Sequence, residues 1–226
     1  MKNENSLAPL KRWVPLAVRY RLMELRGRSL YSGYADAHQC IFIHIPKTAG
    51  TSIARTLFNA TSRHVPCVEY EKANPRKFRR YFKFAFVRNP WDRLYSAYHF
   101  LKRGGLSSAD RAWAQTHLAG YQSFEQFVHE WVNELNINSW VHFRPQTSFI
   151  TDASGHIAMD YLGRMEHLDA DFELICQRIG VSVLLPRLNK VEKEHYSTSY
   201  SMEMIEIVGK AYERDIEWLD YSFTSP

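Results

Sequence analysis

Ile41-Phe42-Ile43-His44-Ile45-Pro46-Lys47-Thr48-Ala49-Gly50-Thr51-Ser52 decides the reading of this chain. The first five residues are apolar and largely β-branched, which predicts a short buried strand. Pro46 ends it, a loop runs to Thr51, and Ser52 to Asn59 reads as a helix. A helix start following a strand presents unpaired N–H groups and the positive end of a dipole, and both attract an anion. Gly50 allows a close backbone approach, Thr51 and Ser52 add hydroxyls, and Lys47 adds a full charge. The loop is not a Walker A motif, because GxxxxGK[ST] is absent and the lysine precedes the glycine. An ordinary strand–helix turn that happens to carry a lysine would look the same.

A second unit follows. Asn74 to Tyr81 is basic and helical in pattern, with Pro75 in its first turn. Phe82 to Arg88 is the next strand, Asn89-Pro90 breaks it, and Trp91 to Leu101 is a helix. Repeated strand–loop–helix units predict an α/β fold: a P-loop-like three-layer domain with a central parallel sheet flanked by helices. Arg88 then sits at the carboxyl end of a strand, where open α/β sheets bind ligands, and Ser96 lies two turns into the following helix. The arginine fork suits a phosphate, although Arg88 and Asp92 could instead form a local ion pair. Beyond this unit, Ser123-Phe124-Glu125-Gln126 is a capping-box pattern opening a helix to about Leu135. Asp169 is the predicted N-cap of a helix over 170–179 that stops at Gly180. A last helix is expected over 202–218, and residues 104–122 read as a mobile insertion.

Composition narrows the function classes. The chain has 226 residues, 45% of them hydrophobic and 14% aromatic, enough for one sizeable core without metal or disulfide support. Cys40, Cys67 and Cys176 are odd in number and in no CxxC spacing, which predicts reduced thiols in a reducing compartment. The net charge of +5 lies wholly in residues 1–31, which hold seven basic and two acidic residues. The remaining 22 basic and 22 acidic residues cancel, so no nucleic-acid-binding surface is indicated. The reading is therefore a basic segment over 1–38 and a single domain over 39–226. Leu10 to Leu30 mixes apolar residues with arginines, as a helix on a membrane surface or anionic glycan would; a helix packed on the domain is the alternative. No apolar run is long enough to span a bilayer and no signal-peptide core is present, so a soluble, cytoplasmic protein is expected.

Together the two motifs, Ile45 to Ser52 and Phe86-Val87-Arg88-Asn89-Pro90 with Ser96, resemble the carbohydrate sulfotransferases of the heparan sulfate 2-O and chondroitin 4-O type, and the chain reads as a soluble bacterial member. The transmembrane anchor of the animal Golgi members has no counterpart here. The resemblance implies that Lys47, Thr48, Ala49, Gly50, Thr51 and Ser52 hold the 5′-phosphosulfate of 3′-phosphoadenosine-5′-phosphosulfate (PAPS), and that Arg88 and Ser96 hold its 3′-phosphate. It implies transfer of a sulfuryl group to a carbohydrate hydroxyl, leaving adenosine 3′,5′-bisphosphate. It also implies a catalytic histidine between the motifs. His64 is the only histidine between Ser52 and Arg88, so it is the candidate base, with Lys47 stabilising the transferred group. His142 is the runner-up, and its segment, with Arg144 and Gln146, could line the acceptor cleft. Glu166 is either an acceptor contact or a partner of Arg164. Asn189 and Lys190 fall where the resembling enzymes close a loop over the nucleotide. His44, inside the strand, is expected to be buried and hydrogen-bonded. The histidines show no metal-ligand spacing, and no metal is expected, since Lys47 and helix N–H groups can take the leaving charge. The alternatives are a small-molecule or nucleoside kinase, which would need a Walker A loop, and a non-catalytic nucleotide- or glycan-binding protein.

Overall fold

A computed structural model describes residues 29–186 and 195–223. In chain order it contains α1 (Tyr34–His38), β1 (Cys40–Ile43), α2 (Gly50–Phe58), α3 (Cys67–Ala73), α4 (Pro75–Arg80), β2 (Phe82–Val87), α5 (Pro90–Lys102), α6 (Ser108–His117) and α7 (Phe124–Trp131). There follow α8 (Thr147–Ile150), β3 (Tyr161–Arg164), α9 (Leu168–Ile179), α10 (Met202–Ala211) and α11 (Glu213–Leu219).

Among the described residues the sheet has three parallel strands in the order β1–β2–β3, with Phe42 opposite Phe84 and Phe86 opposite Gly163. β1 is buried along its whole length, and β2 is buried except at its first residue. That matches their apolar sequences, because helices cover both faces of a parallel sheet. One apolar cluster joins the sheet face carrying Ile41, Ile43, Ala85 and Val87 to α3 and α8; a second joins Phe42, Phe84 and Phe86 to α2 and α9. A third, built of aromatics from α5, α6 and α7 with Met204 and Val208 of α10, lies beside the sheet. Because the strands are parallel, their carboxyl ends share one edge, and the loops bearing Lys47, Arg88 and Glu166 leave from it.

Several local expectations change. Residues 104–122 are not a loose insertion. Ser107 caps α6 by accepting from the Asp110 N–H at 3.0 Å, and the Asp110 carboxylate accepts from the Ser107 N–H in return at 3.1 Å. Trp113, Ala114 and Leu118 pack that helix into the aromatic core. α7 ends at Trp131, four residues early, and Ser123 caps it, but Gln126 reaches back to the Gln122 N–H instead of that of Ser123. Asp169 lies within the first turn of α9, not at its cap, and Gly180 closes the helix at φ 70°. The final helix is two, α10 and α11, broken at Tyr212. Residues 29–38 join the core: Tyr31 is fully buried and its hydroxyl donates to the Tyr70 carbonyl at 2.8 Å. Cys40, Cys67 and Cys176 are buried free thiols. Among the described residues no helix is long and apolar enough to cross a membrane; the basic stretch over 1–28 lies outside them.

Candidate active site

The loop between β1 and α2 is held in a tight, strained shape. Lys47 and Ala49 both have positive φ, 72° and 56°, in the left-handed region that non-glycine residues avoid. Such strain costs on the order of 1–3 kcal/mol per residue and persists where surrounding contacts enforce it. Here the buried Thr48 hydroxyl donates to the Ile45 carbonyl at 2.9 Å and pins the turn. Thr48 can therefore meet a ligand through its backbone, not its hydroxyl. Left-handed residues next to a helix start turn successive N–H groups toward one point, an anion-binding concavity. Thr51 is exposed and Ser52 half-buried in the first turn of α2.

Gly50 has a second reason to be glycine. A Cβ built there would fall on the His44 imidazole. That ring is buried as expected, with Nδ1 2.7 Å from the Ser62 hydroxyl. Gly50→Ala is expected to destabilise the protein by about 1–3 kcal/mol through overpacking, measurable as a lower midpoint of urea unfolding. An unchanged midpoint would mean that His44 can move aside without cost.

Arg88 leaves the end of β2 and joins the two motifs. Its guanidinium makes a bidentate pair with Asp92, 2.7 Å on each arm, and Nη1 donates to the Lys47 carbonyl at 3.2 Å. The local ion pair and the ligand-facing position are thus compatible: Asp92 fixes the fork, and N–H groups remain on Nη1 and Nη2. Lys47, Arg88 and Ser96 line a single cavity of about 600 Å³ with Asp92, Tyr95 and His99, within the usual range for small-molecule sites. The sequence reading missed Tyr95, His99, Phe100 and Arg103 of the α5 wall, and His195 and Tyr196, which also line the cavity. Helical spacing counted from Ser96 would have found the α5 group, since positions 92, 95, 96, 99, 100 and 103 share one face.

His64 does not line that cavity but stands close by, in a histidine cluster. Its ring centroid is 4.2 Å from that of His44 and 5.7 Å from that of His142. His64 Nδ1 lies 3.0 Å from the His44 carbonyl, which can only accept, so Nδ1 carries the hydrogen and Nε2 is a bare acceptor. Burial holds the His64 pKa below its ordinary 6.5, with Lys47 nearby acting in the same direction. Lys47 Nζ sits 3.9 Å above the Phe100 ring, and that ring is 4.9 Å from His142. The cluster and the cationic loop are therefore neighbours.

The expected acceptor residues separate. His142 is buried beside His64. Arg144 is half-buried, with its guanidinium over the Phe149 ring. Gln146 is fully buried: its amide accepts from the Arg88 N–H at 2.9 Å and donates to the Arg88 carbonyl at 2.8 Å. It clamps the end of β2, so its contribution to any ligand passes through Arg88. Glu166 accepts from the Asn89 N–H at 2.7 Å and from the Tyr221 hydroxyl at 3.1 Å, tying the β3 exit to the β2 exit; Arg164 instead donates to the Leu219 carbonyl. Asn189 and Lys190 lie outside the described residues.

The sequence profile of the sulfotransferase family matches residues 33–222, most of the chain. This protein belongs to the sulfotransferase family. No curated protein and no solved structure gives a match. The α/β architecture of this sulfotransferase, a three-stranded parallel sheet flanked by helices, agrees with that membership.

Proposed function

We propose that the protein binds PAPS in the cavity lined by Lys47, Arg88 and Ser96 and transfers its sulfuryl group to a hydroxyl of a carbohydrate. The observation that carries this reading is the convergence of both motifs on one cavity, with the Arg88 fork hydrogen-bonded to the Lys47 carbonyl. Arg88 and Ser96 receive the 3′-phosphate, and the first turn of α2 with Lys47 receives the 5′-phosphosulfate. A carbohydrate acceptor is supported by the resemblance of both motifs to the carbohydrate-type enzymes.

The reaction is an in-line displacement at sulfur. The acceptor oxygen forms a bond to sulfur as the bond from sulfur to the bridging phosphate oxygen breaks. His64 Nε2 takes the hydroxyl proton. Lys47 and the α2 N–H groups stabilise the charge left on the phosphate. The products are a sulfate ester and adenosine 3′,5′-bisphosphate.

Nucleotide choice tests the donor site. A charge-assisted phosphate contact contributes about 1.5–3 kcal/mol, or roughly ten- to a hundred-fold in affinity. Adenosine 3′,5′-bisphosphate should therefore bind that much more tightly than AMP in calorimetry, and Arg88→Ala should remove most of the difference. Equal affinities in the wild type would overturn the assignment of Arg88 and Ser96.

A further inference from the structure

Asp110 and His142 form a buried pair that the transfer chemistry above does not use. Asp110 Oδ1 is 3.0 Å from His142 Nε2, and both residues are more than nine-tenths buried. A carboxylate only accepts, so Nε2 carries the hydrogen and Nδ1 is left as a bare acceptor. That Nδ1 is buried and has no hydrogen-bond partner among the described residues. Buried polar atoms are nearly always paired, so an unpaired acceptor beside His64 points to a group that arrives with a ligand.

The surroundings hold His142 in place. Arg93, fully buried on α5, donates to the carbonyls of His142, Phe143 and Arg144 at 3.3, 3.3 and 2.6 Å. Two residues on, buried Asp215 accepts from the N–H groups of Gln146 and Thr147 at 2.7 and 2.9 Å. Arg93 and Asp215 fix the backbone on either side, and Asp110 fixes the ring and its tautomer.

We propose that Asp110 is a positioning residue that acts through His142, locking it with Nδ1 as a second hydrogen-bond acceptor beside His64, so that the site grips a neighbouring hydroxyl of the acceptor as well as the one that is sulfated. This rests on the transferase reading and adds a substrate class: acceptors with two hydroxyls close together. The charged and titratable groups around the His142 ring are Asp110 on α6, His64 in the segment after α2, and Lys47 in the loop after β1. Burial brings His142 down to about 4 against the pull of Asp110, so the ring is neutral and able to accept at pH 7.

The test uses the full chain and three variants. Asp110→Asn removes the charge that fixes the tautomer, His142→Ala removes the acceptor, and Ser123→Ala weakens the α7 cap, where its hydroxyl accepts from the Gln126 N–H at 3.0 Å, away from the pair. Asp110→Asn should lower kcat/KM for an oligosaccharide acceptor by about tenfold, chiefly through KM, as for one lost hydrogen bond. Affinity for adenosine 3′,5′-bisphosphate should not change. The double variant with His142→Ala should be no worse than His142→Ala alone, because the two act as one unit. Ser123→Ala should keep kcat/KM within about twofold while losing stability from the cap. In nitrogen NMR at pH 7, His142 should show the Nε2–H tautomer in the wild type and a tautomer mixture in Asp110→Asn. Wild-type kcat/KM in Asp110→Asn, additive losses in the double variant, or an unchanged tautomer would each overturn the proposal while leaving the transferase reading intact. A wild type that sulfates no hydroxyl would overturn both.

Discussion

Replacing His64 by alanine is expected to lower kcat by about 10²–10⁴, the usual contribution of a positioned general base, and to leave affinity for adenosine 3′,5′-bisphosphate nearly unchanged. The reasons are geometric. His64 stands outside the cavity that Lys47, Arg88 and Ser96 line, so its loss removes no donor contact. Its Nδ1 is committed to the His44 carbonyl at 3.0 Å, which leaves the lone pair on Nε2 to take a proton. The pH dependence follows with a definite sign. Burial places the His64 pKa below 6.5, so the imidazole is unprotonated and active above that value. Activity is lost as pH falls through the lowered pKa, and the acid limb of kcat/KM in the wild type should lie below pH 6.5. His64→Ala should lack that limb. A folded variant with wild-type turnover, or one that keeps the same acid limb, would show that another group takes the proton.

Lys47→Ala should behave differently, with losses in both donor binding and turnover. Lys47 shares the cavity with Arg88 and Ser96, and its loop places it in front of the α2 start. Negative charge builds on the bridging phosphate oxygen only as the bond to sulfur breaks. The lysine is therefore worth more in the transition state than in the bound donor. Removing one such electrostatic stabiliser typically costs about 10²–10³ in kcat, whereas the loss in affinity for adenosine 3′,5′-bisphosphate should stay near tenfold, as for one charged contact. Stopped-assay kinetics with calorimetry separate the two. A fall in affinity with kcat unchanged would reduce Lys47 to a binding residue. Arginine at position 47 should restore charge but not full rate, because its fork spreads the charge that the ammonium concentrates.

What the sequence revealed and what it hid divide along physical lines. The strand–loop–helix punctuation at Pro46 and at Asn89-Pro90 is local, and the structure places both strands and both helices within a residue or two of the expected positions. β3 was not legible in the sequence, because Tyr161-Leu162-Gly163-Arg164 is short and lacks a β-branched run. Its glycine is there for packing: a Cβ at Gly163 would press on the Phe86 ring 2.6 Å away. The segment over 104–122 misled because Gly104-Gly105 hid the capping signal of Ser107 and Asp110 that opens α6. In the site, Lys47, Arg88 and Ser96 could be read from motif and spacing. The pairing of His142 with Asp110 and the clamp of Gln146 on Arg88 could not, since each joins residues 32 and 58 positions apart that only the tertiary fold brings together.

We propose Lys47, Arg88 and Ser96 as the donor site for sulfuryl transfer to a carbohydrate. The most direct measurement incubates the purified full-length protein with PAPS labelled at sulfur and a panel of oligosaccharides, beside the Lys47→Ala variant. The expected result is label in at least one oligosaccharide, with an equal amount of adenosine 3′,5′-bisphosphate released and a rate at least a hundredfold lower in the variant. Label reaching no hydroxyl acceptor, or transfer at the same rate without Lys47, would contradict it.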